Sequence, residues 1–253
     1  MESTKVEAGV ECFGFNIENG AITAKKIYYK RKKAEGSAID REFVRNLLSC
    51  AKGLRFFSEE NASLESGIVK YDFQVDYLLD WVKARHFLKR NAPFYHEKIV
   101  ASIEQIPWLR TTFSTIGIRY LYERIINIEL YYRRYPQKRP SICRQLRRLL
   151  PMQSATECQD LMRLMLFNGA WVQLVGIDFS DEHQYIKIYF NTQDTDIYEI
   201  VKKHFETTSN FKPFCQITEQ MQVSNAAFAG IAIVMDVNSN NLRYNFYFSP
   251  PGA

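Results

Sequence analysis

The sequence of 253 residues is poor in the side chains that announce the commonest chemistries. Histidine occurs only as His86, His96, His183 and His204, without ligand spacing, which argues against a zinc site. The five cysteines, Cys12, Cys50, Cys143, Cys158 and Cys215, are odd in number, scattered and without a CxxC pair. They read as reduced thiols of a cytoplasmic protein, with no local Cys-His signature of nucleophilic catalysis. No stretch reaches the ~18 to 20 apolar residues of a membrane span. The opening MESTKVEAGVE lacks the basic flank and apolar run of a signal peptide, so the Asn61-Ala62-Ser63 glycosylation pattern carries no weight. Proline, glycine and serine nowhere gather into a linker, and a single domain over residues 1–253 is expected. The formal charge of +5 points to an anionic ligand but is too small to mark a nucleic-acid binder by itself.

What the chain does contain is aromatics, with 15 Tyr and 18 Phe, and an internal repeat. Trp171 to Thr192 reads as two β-strands of alternating polarity joined by the polar turn Ser180-Asp181-Glu182-His183. The pattern recurs from Cys12 to Lys30, where Asn19-Gly20 is a strong hairpin signal, from Ser114 to Arg133, and from Ala227 to Ser249. Each copy opens on a glycine, an apolar residue and a third residue: Gly14-Phe15-Asn16, Gly117-Ile118-Arg119, Gly176-Ile177-Asp178 and Gly230-Ile231-Ala232. Each closes on an aromatic-rich strand.

Between the hairpins the apolar period changes from two to about 3.6 residues. Helices are predicted from Asp40 toward Gly53, over Ile142 to Leu150 after Pro140, and from Ser154 through Leu161, Leu164 and Met165. Others are expected from Asp194 or Thr195 through Ile197, Ile200, Val201 and Phe205, more weakly over Pro213 to Gln222, and over Ala92 to Gln105. Residues 67–105 read as a degenerate repeat, with strands near Val69 to Val75 and Val82 to Lys89; a strand followed by a helix is the alternative.

Helices bury hydrophobic area best against the apolar strand faces, at roughly 25 cal/mol per Å². In the second strands of the hairpins those faces are Ile27 and Tyr29; Ile128, Leu130 and Tyr132; Ile186, Ile188 and Phe190; Tyr244, Phe246 and Phe248. The opposite faces carry Lys26, Tyr28 and Lys30; Glu129, Tyr131 and Arg133; Lys187, Tyr189 and Asn191; Arg243, Asn245 and Tyr247. About ten antiparallel strands seldom stay open, and closing them removes the exposed edges. The expected architecture is α+β: a closed antiparallel β-barrel of about ten strands, built from repeated α-β-β-α units with the helices outside. A barrel of that size is too wide for its side chains to fill. Lysine and arginine on the inner face suit a diphosphate, and tyrosine rings suit a cation kept away from water. That pairing fits an allylic diphosphate as it ionises.

With these features in hand, the sequence resembles the prenyltransferases of the ABBA fold, and within them the branch that modifies cyanobactin-type peptides. The features are FNIENGAITAKK near the start, GIR followed by Arg134-Tyr135-Pro136, LVGIDF with KIYF, and the closing NNLRYNFYF. They span nearly the whole chain, and their order and spacing carry the resemblance. The family implies an isoprenyl donor, commonly dimethylallyl diphosphate, and a nucleophilic side chain of a cyclic or linear peptide as acceptor. On this chain the diphosphate residues would be Lys26, Arg133, Lys187 and Arg243, and the tyrosines shielding the allyl cation Tyr28, Tyr131, Tyr189 and Tyr247. Glu11 is the nearest match to the family's general base. On a regular strand, however, Glu11 shares parity with the outward Phe13 and Phe15, so a bulge at Gly14 is expected. Glu129 stands among basic residues, either paired with Lys26 or Arg133 or recognising a cationic acceptor. Magnesium would accompany the diphosphate with few protein ligands, since no DDxxD run is present; Asp76 and Asp80 are isolated. No organic cofactor and no membrane partner are expected.

Two rival readings use the same face. Alternating basic and aromatic residues on an open sheet are also how single-stranded RNA is stacked, although no RNP-type run is present. An inactive barrel that carries a ligand is the other.

Overall fold

A computed structural model of the chain describes residues 10–31, 56–61, 69–74, 85–86, 88–105, 113–121, 124–133, 155–168, 170–191, 197–239 and 241–251. In chain order the elements are β1 (Val10–Glu18), β2 (Ala21–Arg31), β3 (Phe56–Asn61), β4 (Val69–Gln74), α1 (Pro93–Gln105), β5 (Phe113–Leu121) and β6 (Arg124–Arg133). There follow α2 (Ala155–Phe167), β7 (Trp171–Ser180), β8 (Gln184–Asn191), α3 (Ile197–Phe205), α4 (Phe211–Val223), β9 (Ala227–Asp236) and β10 (Leu242–Ser249). Every strand pairs antiparallel with its neighbours in sequence, and β10 pairs back onto β1 from Phe13 opposite Phe248 to Glu18 opposite Arg243. The strand order therefore returns on itself as β1-β10-β9-β8-β7-β6-β5-β4-β3-β2.

The four repeated hairpins form where their alternation places them. At the β1–β2 turn Asn19 and Gly20 take φ of 51° and 75°, the two left-handed positions that a two-residue turn between right-twisted strands requires. The Gly20 N–H also donates to Asn210 Oδ1 at 3.0 Å, tying this turn to the link between α3 and α4. A β-carbon at Gly20 would meet Ser209 at 3.1 Å, so the position is closed to side chains on both counts.

The outer face of the sheet is apolar and carries the helices. Ile186, Ile188 and Phe190 of β8, Ile231, Ile233 and Met235 of β9 and Tyr244, Phe246 and Phe248 of β10 share one core with α2, α3 and α4. Phe205 of α3 anchors it, with ring centroids 4.8 Å from Tyr244, 5.7 Å from Phe214 and 5.9 Å from Phe246. On the far side of β7, α1 is held by polar contacts. Tyr95 donates to Asp181 Oδ1 at 2.7 Å, and Lys98 to the carbonyls of Ser180 and Asp181 at 3.0 Å each. No helix among the described residues is long and apolar enough to cross a membrane.

Two local expectations are corrected. The second hairpin is made by Phe56–Asn61 and Val69–Gln74, while residues 85–86 and 88–91, expected in a strand near Val82 to Lys89, are helical. Neither strand of that hairpin begins with the glycine that marks the other copies, and WVKARHFLKR supports a helical period as well as an alternating one. The bulge of β1 lies between Val10 and Cys12, opposite Tyr29 and Tyr28, and makes Glu11 its extra residue. Gly14 stays in register opposite both Tyr247 and Lys26. The helices expected from Asp40 to Gly53 and over Ile142 to Leu150 lie outside the described residues.

The turns after β7 and β9 are joined through Asp236. Its carboxylate accepts from the Asn238 N–H at 2.8 Å and the Ser239 hydroxyl at 2.8 Å, and lies 2.9 Å from His183 Nδ1. Burial alone would raise the Asp236 pKa, but these three partners together hold it below the ordinary 3.8. A depressed folded value means that the stabilisation is present above 3.8 and is lost as pH falls through the lower folded value. Asp236→Asn is therefore expected to cost about 1 to 3 kcal/mol at pH 7, with the difference shrinking toward pH 3. Urea unfolding at both pH values measures this, and a pH-independent difference would contradict it.

Candidate active site on the inner face of the sheet

The alternation that turns isoleucine and phenylalanine toward the helices turns charged and phenolic side chains inward. On β6 the inward residues are Asn127, Glu129 and Tyr131; on β7, Gly176 and Asp178; on β8, Tyr185, Lys187 and Tyr189; on β10, Arg243, Asn245 and Tyr247. In register Glu129 faces Asp178, and Gly176 lies between Tyr131 and Lys187. These pairings bring together residues far apart in sequence.

At the centre is a buried ion cluster. Lys187 Nζ lies 2.5 Å from Glu129 Oε1 and 2.8 Å from Asp178 Oδ2, and Lys187, Glu129 and Asp178 are 3%, 0% and 2% exposed. Asn127 donates through Nδ2 to the other oxygen of Asp178, and the Tyr131 hydroxyl donates to the other oxygen of Glu129. The two carboxylates thus share one ammonium, and each is further held by a neutral donor, which offsets part of the cost of burying two negative charges beside one positive one. The sequence reading placed Lys187 on a diphosphate and left Glu129 to Lys26, Arg133 or an acceptor; instead the two pair with each other.

Three of the four expected shield tyrosines also meet. The Tyr131 and Tyr189 rings are 6.1 Å apart and those of Tyr189 and Tyr247 5.9 Å. Burial, followed by the adjacent Tyr247 and Glu129, pushes the Tyr189 phenol well above its usual value of 10.0. An ordinary phenol is already protonated at neutral pH, and the shift extends that range further into alkali. A neutral phenol offers a ring face and a hydrogen bond, whereas a phenolate would itself compete as a nucleophile for a carbocation.

The repeat glycines explain how such rings fit. A β-carbon on Gly176 would lie 3.2 Å from Tyr131 Cε1 and 3.4 Å from Lys187 Cβ. Tyr247 stands in register between Gly14 and Gly230. Gly176 thus leaves room for the inward side chains of Tyr131 and Lys187 on the neighbouring strands.

Arg243 lies farther toward the hairpin turns, its guanidinium 5.2 Å from the Tyr185 ring centroid and its Nε buried with no hydrogen-bond partner. Lys26 is buried on β2. Glu11, Tyr28 and Arg133 occupy β1, β2 and β6, but their side chains lie outside what is described. Residues absent from the sequence-based site are Asp178, Asn127, Tyr185, Asn16 and Asn245. The signal for two of them was available, since Asn16 and Asp178 are third residues of the Gly-apolar-X repeat. Among the described residues no group of three or more His, Cys, Asp or Glu side chains could hold a metal ion.

The overall arrangement matches solved prenyltransferase structures. NotF prenyltransferase superposes with a TM-score of 0.67 at 9% identity, covering 98% of this chain and 82% of that one. NotF in complex with brevianamide F and DMSPP gives 0.60 at 10% identity, with coverage of 98% and 82%. AnaPT from Neosartorya fischeri gives 0.65 at 9% identity, over 95% of this chain and 78% of that one. At such identities the likeness is one of fold. No family model matches the sequence, and no curated protein matches it.

The cluster makes a stability prediction. Lys187→Met, which leaves two carboxylates facing each other, is expected to cost about 3 to 5 kcal/mol in chemical denaturation. Adding Glu129→Gln and Asp178→Asn to Lys187→Met should restore part of that loss, because no charge then remains uncompensated. A triple variant less stable than Lys187→Met would contradict the account of the cluster.

Proposed function

We propose that the protein is a prenyltransferase, moving an isoprenyl group, dimethylallyl first among the candidates, from its diphosphate to a nucleophilic side chain of a cyclic or linear peptide. The observation that carries this reading is the inward-facing Tyr131–Tyr189–Tyr247 cluster beside basic residues, on a fold shared with a prenyltransferase whose structure holds DMSPP. A ring of ten strands would give the reaction a chamber. A dry chamber matters because the allylic carbon would otherwise be captured by water.

In the proposed reaction the donor C–O bond breaks and its electron pair leaves on the diphosphate. A new bond forms from the acceptor nucleophile to the allylic carbon, and the acceptor loses one proton. The diphosphate set is Lys26, Arg133, Lys187 and Arg243. Arg243 leads it, because its Nε has no protein partner whereas the charge of Lys187 is already engaged by two carboxylates. Tyr28, Tyr131, Tyr189 and Tyr247 shield the cation. Glu11, the extra residue of the β1 bulge, takes the acceptor proton, and Glu129 contributes negative potential toward a cationic acceptor group. Magnesium, where it enters, does so as the counter-ion of the diphosphate and hence as part of the substrate.

The peptide acceptor rests on the sequence resemblance to the cyanobactin-type branch; the NotF structure holds brevianamide F in that role. An RNA-stacking sheet needs its basic and aromatic residues in solvent, and burial of Lys187 and Tyr131 weighs against it. Incubation with dimethylallyl diphosphate and a panel of linear peptides, cyclic peptides and small indoles, read by mass spectrometry, tests the proposal. A gain of one isoprenyl unit on a peptide is expected, and Glu11→Gln should slow it about 100-fold while leaving donor affinity intact. Transfer to indoles alone would overturn the acceptor class, and no transfer to any acceptor would overturn the activity.

A further inference from the structure

Asn16 and Asn245 face each other across β1 and β10 on the inner side of the sheet, where neither contributes to the ion cluster or the tyrosine cluster. They are 5% and 3% exposed, and the carboxamide oxygen of each is buried with no hydrogen-bond partner. Two such oxygens side by side are costly, because a buried acceptor left unmade loses its hydration without replacement. The flanking positions are small, with Ala24 opposite Asn16 and Ala232 opposite Asn245. No bulky side chain therefore stands at the register position opposite either carboxamide on β2 or β9. On the same face Arg243 lies two residues to one side of Asn245 and Tyr247 two residues to the other, and Tyr189 is the register partner of Ala232. The pair thus stands between the proposed diphosphate residue and the proposed cation shield.

We propose that Asn16 and Asn245 form the hydrogen-bond-accepting wall of the acceptor subsite and receive N–H donors from the acceptor's reacting group. The idea rests on prenyl transfer for the word acceptor, but the recognition chemistry follows from the two oxygens alone. Neighbouring inward residues on paired strands are spaced about 4.5 to 5.5 Å apart at Cβ, so two carbonyls there can share a planar nitrogen group. A guanidine offers two donors and an indole one. A site built this way rejects an analogue that lacks the N–H, because the buried oxygens are then left unmet.

The direct test is NMR of the side-chain NH2 resonances of Asn16 and Asn245 in the 15N-labelled full chain, assigned with Asn16→Leu and Asn245→Leu. Indole is compared with N-methylindole, and methylguanidine with tetramethylammonium. Shifts with indole or methylguanidine, absent with their N–H-free counterparts, are expected, and the pair that responds identifies the nitrogen group. Equal shifts within each pair, no shift with any probe, or larger shifts with inorganic pyrophosphate would overturn the inference. This readout needs no turnover, so its failure is distinct from failure of the prenyl-transfer reading. A second measurement uses the double variant Asn16→Leu/Asn245→Leu. Its melting temperature should rise by about 2 to 4 °C as the unmet carbonyls are removed, while KM for an N–H acceptor rises about tenfold and donor affinity is unchanged. A lower melting temperature with unaltered KM would assign the pair a structural role and contradict the proposal.

Discussion

The meeting of Lys187 with Glu129 and Asp178 depends on three neighbouring strands keeping one register. A slip of one residue in β8 would send Lys187 into the helix-packed core and Ile186 or Ile188 to the carboxylates. Hydrophobic burial outside and charge pairing inside therefore specify the same alignment. Each penalises the alternatives that the other would tolerate, since a lysine among α2 and α3 is as unfavourable as an isoleucine between two acids. The aromatic chain Tyr131–Tyr189–Tyr247 inherits its geometry from this alignment, because Tyr131 donates to Glu129 and lies over Gly176.

The cluster also divides the inner face by chemistry. The Lys187 charge is engaged by two carboxylates, so Lys187 is less an open anion site than the fixed centre that holds Glu129 and Asp178 in place. Unmet capacity lies elsewhere, at the Nε of Arg243 and at the carbonyls of Asn16 and Asn245. Between those poles lies Tyr189, whose ring stands beside those of Tyr131 and Tyr247. In the proposed reaction, anion capture, cation shielding and acceptor contact would fall to separate residues, which suits a leaving group, carbocation and nucleophile that must not exchange places.

Much of this was legible in the sequence because alternation is a local property. The hairpins containing Lys26, Tyr131, Lys187 and Tyr247 could be read strand by strand, and the helices over Ala155–Phe167 and Ile197–Phe205 by their apolar spacing. Pairing partners were not legible, because they depend on which strand lies beside which. Glu129 could be placed inward but not opposite Asp178. The strand Phe56–Asn61 escaped notice because FFSEEN has neither the internal glycine nor the alternating polarity of the other first strands. The β1 bulge was expected at Gly14 from residue type, whereas it falls between Val10 and Cys12, where β1 gains its extra residue against Tyr28 and Tyr29. Asn16 was marked by its place in the Gly-apolar-X repeat, but Asn245 carried no such signal; their shared register and unmet oxygens make them a pair.

The central claim is that the inner face binds a prenyl diphosphate through residues left uncommitted by the ion cluster. Titration calorimetry with DMSPP on the wild type and on Arg243→Ala tests it most directly. Saturable one-to-one binding that pyrophosphate displaces and that weakens at least tenfold in Arg243→Ala is expected, since a charge-assisted contact contributes about 1.5 to 3 kcal/mol. Absence of binding to the folded wild type, or equal affinity in the two proteins, would contradict it.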